Sequence, residues 1–296
     1  MHVLILSGAN VVAGSNNTQY RYNFPQSINL DKYASIALLK LDIYYCWFNI
    51  SSSLYNNHQF SYKWFDSSGN LTVTRTVTLA DGNYTVSDLN KAFQSVMFAN
   101  NHYLKDADGN IVYYLSFDTN ATLYAIQMYC NPLPTALPTG YTKPVADTTW
   151  KLPTVFATTP QIIIPSTGNF SKLFGIPAGT YPSATQASKY SITSVTTPMM
   201  SPASSLLMCC SLCNQPYSVP SNLLYSFNAG ASSFGDIITV APNSLSFLPC
   251  KQGSYNQMTI EFKDQDYNNV KLQDNQMVMM LVLRTRNDIE LETIKE

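Results

Sequence analysis

The sequence predicts a mainly β protein: a single jelly roll, an antiparallel β-sandwich built from both chain ends, with an inserted α+β domain. Three observations lead there. Short apolar segments at roughly 8–15-residue spacing, parted by turn residues, mark both ends of the chain as all-β. The middle carries its own helix and turns. Charged residues make up only 12% of the 296 residues, against about 25% in soluble domains, so much of the surface is either solvated by hydroxyls and amides or covered by neighbouring molecules.

The first region runs to about residue 53. Its opening, MHVLILSG, has four consecutive strongly apolar residues and no basic flank, which argues against a cleaved leader. GANVVAGSNNT lacks periodicity and reads as an arm, so Met1 to Thr18 is expected to be ordered mainly by neighbouring subunits. TQYRYNF alternates as a strand does, and YASIALLKLDIYYCWFNI is a long strand-like run rich in branched and aromatic side chains.

The second region, residues 54–198, is the inserted domain. HQFSYKWFD and NLTVTRTVTL read as strands joined by the turn DSSG. After the Asp81-Gly82 turn, Thr85 or Ser87 is placed to cap a helix, and Asp88 stands three residues beyond Thr85 as a capping-box partner. Val86, Leu89, Phe93, Val96 and Met97 fall on one helical face. Two strands follow, IVYYLSFD and ATLYAIQMYC. Seven of the 16 prolines lie between Pro132 and Pro165, and proline has no amide to donate, so this stretch is expected as an extended, irregular wrap. QIIIPSTGNFSKLFGIPAGTYP closes the region with a short strand, a helical turn and a glycine-proline loop.

The third region, residues 199–296, supplies the remaining jelly-roll strands, among them SSLLMCCSLCN, SNLLYSFNAG, GDIITVAP, YNQMTIEFKD and QMVMMLVLR. Between Lys189 and Glu261 the only charges are Asp236 and Lys251, whereas Arg284 to Glu296 carries seven charged positions in 13 residues. A monomer ordinarily places charges on solvent faces and strand edges to block edge-to-edge pairing. Their scarcity favours an oligomer whose neighbours cover the sheet, with a mobile charged tail.

Composition and motif content exclude several functions. A net charge of -1 is unsuited to nucleic acid, which needs clustered Lys and Arg. No apolar run nears the roughly 18 residues of a membrane span. The cluster Cys209, Cys210, Cys213 suggests thiolate metal binding, but only Cys250 follows it, and His2, His58 and His102 are remote in sequence. Core packing is the better reading: on a strand Leu206, Met208, Cys210 and Leu212 share one face, and Leu207, Cys209 and Cys213 the other. A Cys–His nucleophilic pair for hydrolysis has no motif behind it. Asp264, Asp266 and Asn268 imitate the start of a calcium loop, yet Asn269 and Asn275 stand where Gly and Glu belong, so a polar turn is expected. Six glycosylation sequons, at Asn16, Asn49, Asn70, Asn83, Asn120 and Asn169, match what 26 Asn produce by chance. No catalytic residue, metal ligand or cofactor is assigned.

The run TVTLADGNYTVSDLNKAFQ, then YYLSFD and ATLYAIQMY, then FSKLFGIPAGTYP, resembles the minor capsid (penton) proteins of virophages and Polinton (Maverick) elements. SVPSNLLYSF and MTIEFKDQDYNNVKLQDNQMVMMLVLR resemble that family's closing strands, so the likeness covers most of residues 72 to 285. It implies a structural capsid protein: a homopentamer at the icosahedral vertices of a double-stranded DNA virus particle, contacting a double-jelly-roll major capsid protein. Its place would be the virion, assembled inside the host cell. The alternative is a host-receptor or glycan-binding attachment module carried by the inserted domain, whose tyrosines suit a ligand on the host surface. No functional residues transfer, because the resembling positions are structural.

Overall fold

A computed structural model describes residues 1–285. Of the charged, mobile tail expected over Arg284–Glu296, Arg284 ends the last strand, and residues 286–296 lie outside the described residues. In chain order the elements begin with β1 (His2–Ser7), β2 (Gln19–Leu30) and β3 (Ser35–Tyr44). Next come β4 (Gln59–Trp64), β5 (Val73–Thr78), α1 (Val86–Ala99), β6 (Leu104–Lys105), β7 (Ile111–Val112), β8 (Leu115–Asn120) and β9 (Ala125–Cys130). β10 (Gln161–Ile164), α2 (Phe170–Phe174), β11 (Gly179–Tyr181) and β12 (Tyr190–Thr193) follow. The chain ends with β13 (Leu206–Cys210), β14 (Leu223–Phe227), β15 (Ile237–Val240), β16 (Leu248–Pro249), β17 (Gly253–Asp264) and β18 (Val278–Arg284). It divides into two compact units, one formed by Met1–Phe48 with the residues from Ala203 onward, the other by Asn49–Pro202.

The first unit is a jelly roll. One sheet has the order β1-β18-β3-β15, with β16 also on β3, and the other the order β14-β13-β17-β2. Its eight long strands pair as nested hairpins: first with last (β1 and β18), second with seventh (β2 and β17), third with sixth (β3 and β15), fourth with fifth (β13 and β14). All four pairings are antiparallel, and this nesting is what a long two-stranded ribbon gives when rolled into a two-sheet sandwich. Period-two alternation fills the space between the sheets. Leu4 and Leu6 of β1, Met258, Ile260 and Phe262 of β17, and Met279, Leu281 and Leu283 of β18 are all buried there. On β3 the inward set changes parity from Ile36 and Leu38 to Leu41 and Ile43, because a bulge opposite Met280/Leu281 inserts one residue.

The N-terminal segment departs from the expectation. β1 makes a six-residue antiparallel ladder with β18 of its own chain, from His2↔Leu283 to Ser7↔Val278. The residues that follow are also held internally. Asn17 donates to the Leu272 carbonyl at 3.0 Å, and the Leu272 amide donates to that of Asn16 at 3.0 Å. Met1 to Thr18 is therefore ordered by the protein itself. The alternation of Leu4 and Leu6 with Val3 and Ile5 was the strand signal, hidden by the brevity of the run.

The second unit surrounds an aromatic core. β11-β10-β4-β5 form one sheet, β12-β9-β8 another, and β6 pairs with β7. Helix α1 starts at Thr85, whose hydroxyl accepts from the Asp88 amide at 3.2 Å while the Asp88 carboxylate accepts from the Thr85 amide at 3.1 Å. Val86, Leu89, Phe93 and Met97 are its buried residues. Phe60 meets Phe93, Phe117 and Phe170 at ring separations of 5.0, 5.4 and 4.8 Å, and Phe174 completes the cluster against Phe117 at 4.6 Å. Such ring pairs contribute about 0.5–1.5 kcal/mol each beyond the area they bury. Helix α2 stops at Gly175 (φ 65°), where a Cβ would lie 2.1 Å from the Thr196 carbonyl oxygen. Only glycine fits both the left-handed turn and that close approach. The proline-rich stretch is irregular as its composition requires, tied by isolated bridges at Leu133–Thr158 and Lys105–Thr142.

Replacing Thr85 with Ala removes one capping hydrogen bond and is expected to cost about 1 kcal/mol, with Thr85→Ser retaining most of it. Urea unfolding followed through the aromatic signal checks this, and equal midpoints for wild type and Thr85→Ala would contradict the assignment.

Candidate functional site

His2 is exposed on β1, His58 and His102 belong to the second unit, and the Cys209–Cys213 cluster belongs to the first. His102 is buried beneath the Trp64 ring (centroids 5.0 Å, nearly parallel) and its Nδ1 shares a 2.8 Å hydrogen bond with the Tyr62 hydroxyl. Burial, with a smaller contribution from the Arg75 charge, pushes its pKa down to about 3, and burial raises the Tyr62 phenol. The pair is a neutral structural contact inside an aromatic core. Among the described residues, no group of three or more His, Cys, Asp or Glu is arranged to hold a metal ion.

Asp264 forms the polar turn expected of it. Its Oδ1 accepts from the amides of Asp266 (2.9 Å) and Asn268 (2.7 Å), and Oδ2 from the Asn268 side chain at 3.2 Å. The carboxylate's acceptors are spent on its own loop. The cysteines depart from strict alternation. A turn after β13 closes with the Cys213 amide donating to the Cys210 carbonyl, and it carries Cys213 into the same core as Cys210 and Leu212. Cys209 alone remains with Leu207 on the other face, where burial raises its thiol pKa.

The informative geometry lies on the outer faces of the sandwich. Opposed residues in a ladder share a face, which groups Val3 with Val282 and Ala37, Ile5 with Met280 and Lys40, and Ser7 with Val278 and Asp42. On this face Val3 is 55% exposed, Ile5 53% and Val278 41%, and Ile237 of β15 reaches 56%. Its charges are the Lys40–Asp42 ion pair at 2.7 Å, which with the Thr239 hydroxyl holds the Asp42 carboxyl below its ordinary pKa, and Arg284 at the end of β18, whose guanidinium lies over the Phe247 ring at 3.6 Å. The two edges of the sheet are β1 (HVLILS) and β15 (IITV), and neither carries a Lys, Arg, Asp, Glu or Pro. Those are the devices that keep a free edge from pairing with another chain.

The other sheet presents the opposite chemistry. Arg21, Asn23, Gln257, Thr259, Glu261 and Lys263 share its outer face by register. Glu261 bonds Gln19 and Lys263, each at 3.0 Å, and Lys263 donates to the Asn269 side chain at 2.6 Å. One side of the sandwich is thus suited to water, and the other to contact with protein.

In the second unit a concave site of about 340 Å³ is lined by Val86, Ala121, Tyr124, Ile126, Pro198 and Met200. Its rim is the short turn after β8, where Tyr124 sits at φ 48° with 76% of its surface exposed beside Leu123 at 65%. Sequence reading missed both surfaces, because an outward valine on a strand is spelled like an inward one. The signal available was the absence of charge in β1 and β15. No helix among the described residues is long and apolar enough to cross a membrane.

No protein-family model matches the chain, and no curated protein matches it. Among solved structures it is similar to the selenomethionine-labelled mavirus penton protein. The two are 12% identical, the alignment covers 95% of this chain and 96% of that one, and the TM-score is 0.43. It is also similar to a chain of the Sputnik virophage structure determined by cryo-electron microscopy at 3.5 Å. There identity is 9%, coverage 98% and 99%, and the TM-score 0.36. With TM-scores below 0.5 the likeness adds nothing to the fold, which the strand order carries by itself.

The buried His102 gives a pH test. Its folded pKa, about 3, lies below the ordinary 6.5, so between those values the unfolded chain binds the extra proton. Stability then falls as pH drops from about 6.5 toward 3, by up to about 1.4 kcal/mol per pH unit. Thermal unfolding between pH 7 and 4 should show this slope in wild type and a shallower one in His102→Phe. Equal slopes would contradict it.

Proposed function

We propose that this chain is a structural capsid protein whose jelly roll assembles as a homopentamer and closes the vertices of an icosahedral double-stranded DNA virus particle. The observation that carries this reading is a jelly roll with one charge-poor, apolar outer face bounded by two uncharged edges. A cyclic assembly needs two different surfaces per subunit that complement one another and close into a ring. The two uncharged edges, β1 and β15, are different surfaces of that kind on one subunit. A sheet face with Val3, Ile5 and Val278 in water costs about 25 cal/mol for each Å² of apolar surface left uncovered, so burial against a neighbouring copy is favoured. The expected second partner is a double-jelly-roll major capsid protein around the vertex, and the expected location is the virion. The resemblance of residues 72 to 285 to minor capsid sequences supports the same reading independently of the surface argument.

A second reading is favoured by one observation, the concave site rimmed by Tyr124 and Leu123. An exposed aromatic over an apolar hollow suits a sugar ring or an apolar side chain on a host surface. This attachment role is compatible with a vertex protein, because it uses the unit of residues 49–202 and leaves the sandwich to assembly. Full-length protein should bind host cells, and Tyr124→Ala should reduce that binding several-fold. Equal binding by the two proteins would remove the attachment reading.

The assembly reading is tested by mass and imaging of purified protein. Wild type is expected at five times the 33.0 kDa chain mass, with five-fold rings in negative stain. Val3→Glu combined with Ile5→Glu should leave a folded monomer, while Asn23→Glu on the polar face should leave rings intact. A ring-forming double variant would show that the apolar face is not the interface.

A further inference from the structure

Three of the six thiols converge in the interior of the sandwich from different sheets. Cys210 ends β13, and Cys213 follows in a turn closed by its amide on the Cys210 carbonyl at 3.1 Å. Cys250 follows β16, which belongs to the opposite sheet through β3, and forms a bridge pair with Cys213. The flanking hydrogen bonds define that pair. The Asn214 amide donates to the Pro249 carbonyl at 2.9 Å and the Lys251 amide to the Leu212 carbonyl at 2.7 Å. Bonds on both sides with none between them make Cys213/Cys250 a non-hydrogen-bonded antiparallel pair. Such pairs hold their Cα atoms about 4.5 Å apart, inside the range of about 4.4–6.8 Å that a disulfide spans. The third thiol adjoins the pair, because Cys210 and Cys213 are the two ends of that turn and both lie in the same buried core. The Cys213 side chain, aided by the Leu212 and Cys213 amides and the Lys251 charge, holds the Cys210 thiol below the ordinary range against the opposing effect of burial. All three are free cysteines. Their sequence neighbours Ser211, Asn214 and Lys251 are exposed, so the cluster lies close under the surface.

We propose that Cys210, Cys213 and Cys250 form a peroxide-oxidisable site that ends in a Cys213–Cys250 disulfide joining the two sheets of the jelly roll. The Cys210 sulfur attacks one oxygen of the peroxide, the O–O bond breaks, and Cys210 sulfenic acid and one water result. The Cys213 sulfur then attacks the sulfenic sulfur, displacing hydroxide, which leaves as a second water with the Cys213 proton. The resulting Cys210–Cys213 disulfide exchanges: the Cys250 sulfur attacks the Cys213 sulfur, and Cys210 departs and takes up the Cys250 proton. Two thiol hydrogens and two electrons pass to the peroxide, and Cys210 is regenerated. The site does not depend on the capsid reading, since it rests on the sandwich interior alone.

The test uses full-length folded protein treated with hydrogen peroxide, alkylated under native and then denaturing conditions, and mapped without reduction. The expected result is a mass loss of about 2 Da, from the two thiol hydrogens, and a cross-linked peptide pair containing Cys213 and Cys250. Cys46 and Cys130 should stay alkylatable. Cys250→Ser should stop at a Cys210–Cys213 disulfide, and Cys213→Ser should accumulate a dimedone-reactive sulfenic acid at Cys210. Wild type is the primary sample, so the result does not depend on a variant folding. Absence of the mass loss, or a wild-type disulfide that omits Cys213 or Cys250, would overturn the proposal.

Discussion

The structure of the sandwich depends on one constraint: the two ends of the chain must find each other and pair. β1 has β18 as its ladder partner, and β18 in turn bridges β1 to β3. Every other long pairing in the unit nests inside this one, so no local hairpin except β13–β14 forms without distant parts of the sequence. Closing such loops costs entropy before any contact repays it. The compensation is the apolar interior shared by both sheets, where Leu6, Ile36, Leu281 and Ile260 are fully buried. Residues 49–202 interrupt this order in the middle of the ribbon. They have their own aromatic core.

The same constraint generates the functional surface. A two-sheet sandwich has two inner faces that pack together and two outer faces that must each meet something. Here the outer faces diverge, one with Arg21, Glu261 and Lys263 in a hydrogen-bonded polar array, the other with Val3, Ile5 and Val278. Low charge in the sequence is therefore not spread evenly over the molecule. It is concentrated where β1 and β15 leave backbone edges open.

Much of this was legible in the residues. The helix could be read to its cap, because Thr85, Asp88 and the spacing of Leu89, Phe93 and Met97 are local features and the helix is a local structure. The jelly-roll class was legible from strand spacing and turn residues. What could not be read were relations between distant positions. Met1 to Thr18 reads as an arm because six residues cannot announce a partner 271 to 281 positions away. Cys213 was assigned to the wrong face because strand parity ends at the turn after Cys210, and its pairing with Cys250 arises between sheets. The outward placement of Val3 and Ile5 depended on register, which sequence leaves open.

The central claim is that β1 and β15 border a surface covered by another copy of the chain. Amide hydrogen exchange on dilute and on assembled protein tests it directly. The account predicts that β1 and β15 gain strong protection on assembly, while β2 and β17, on the polar sheet, exchange alike in both states. Equal exchange of β1 and β15 in the two states would contradict it.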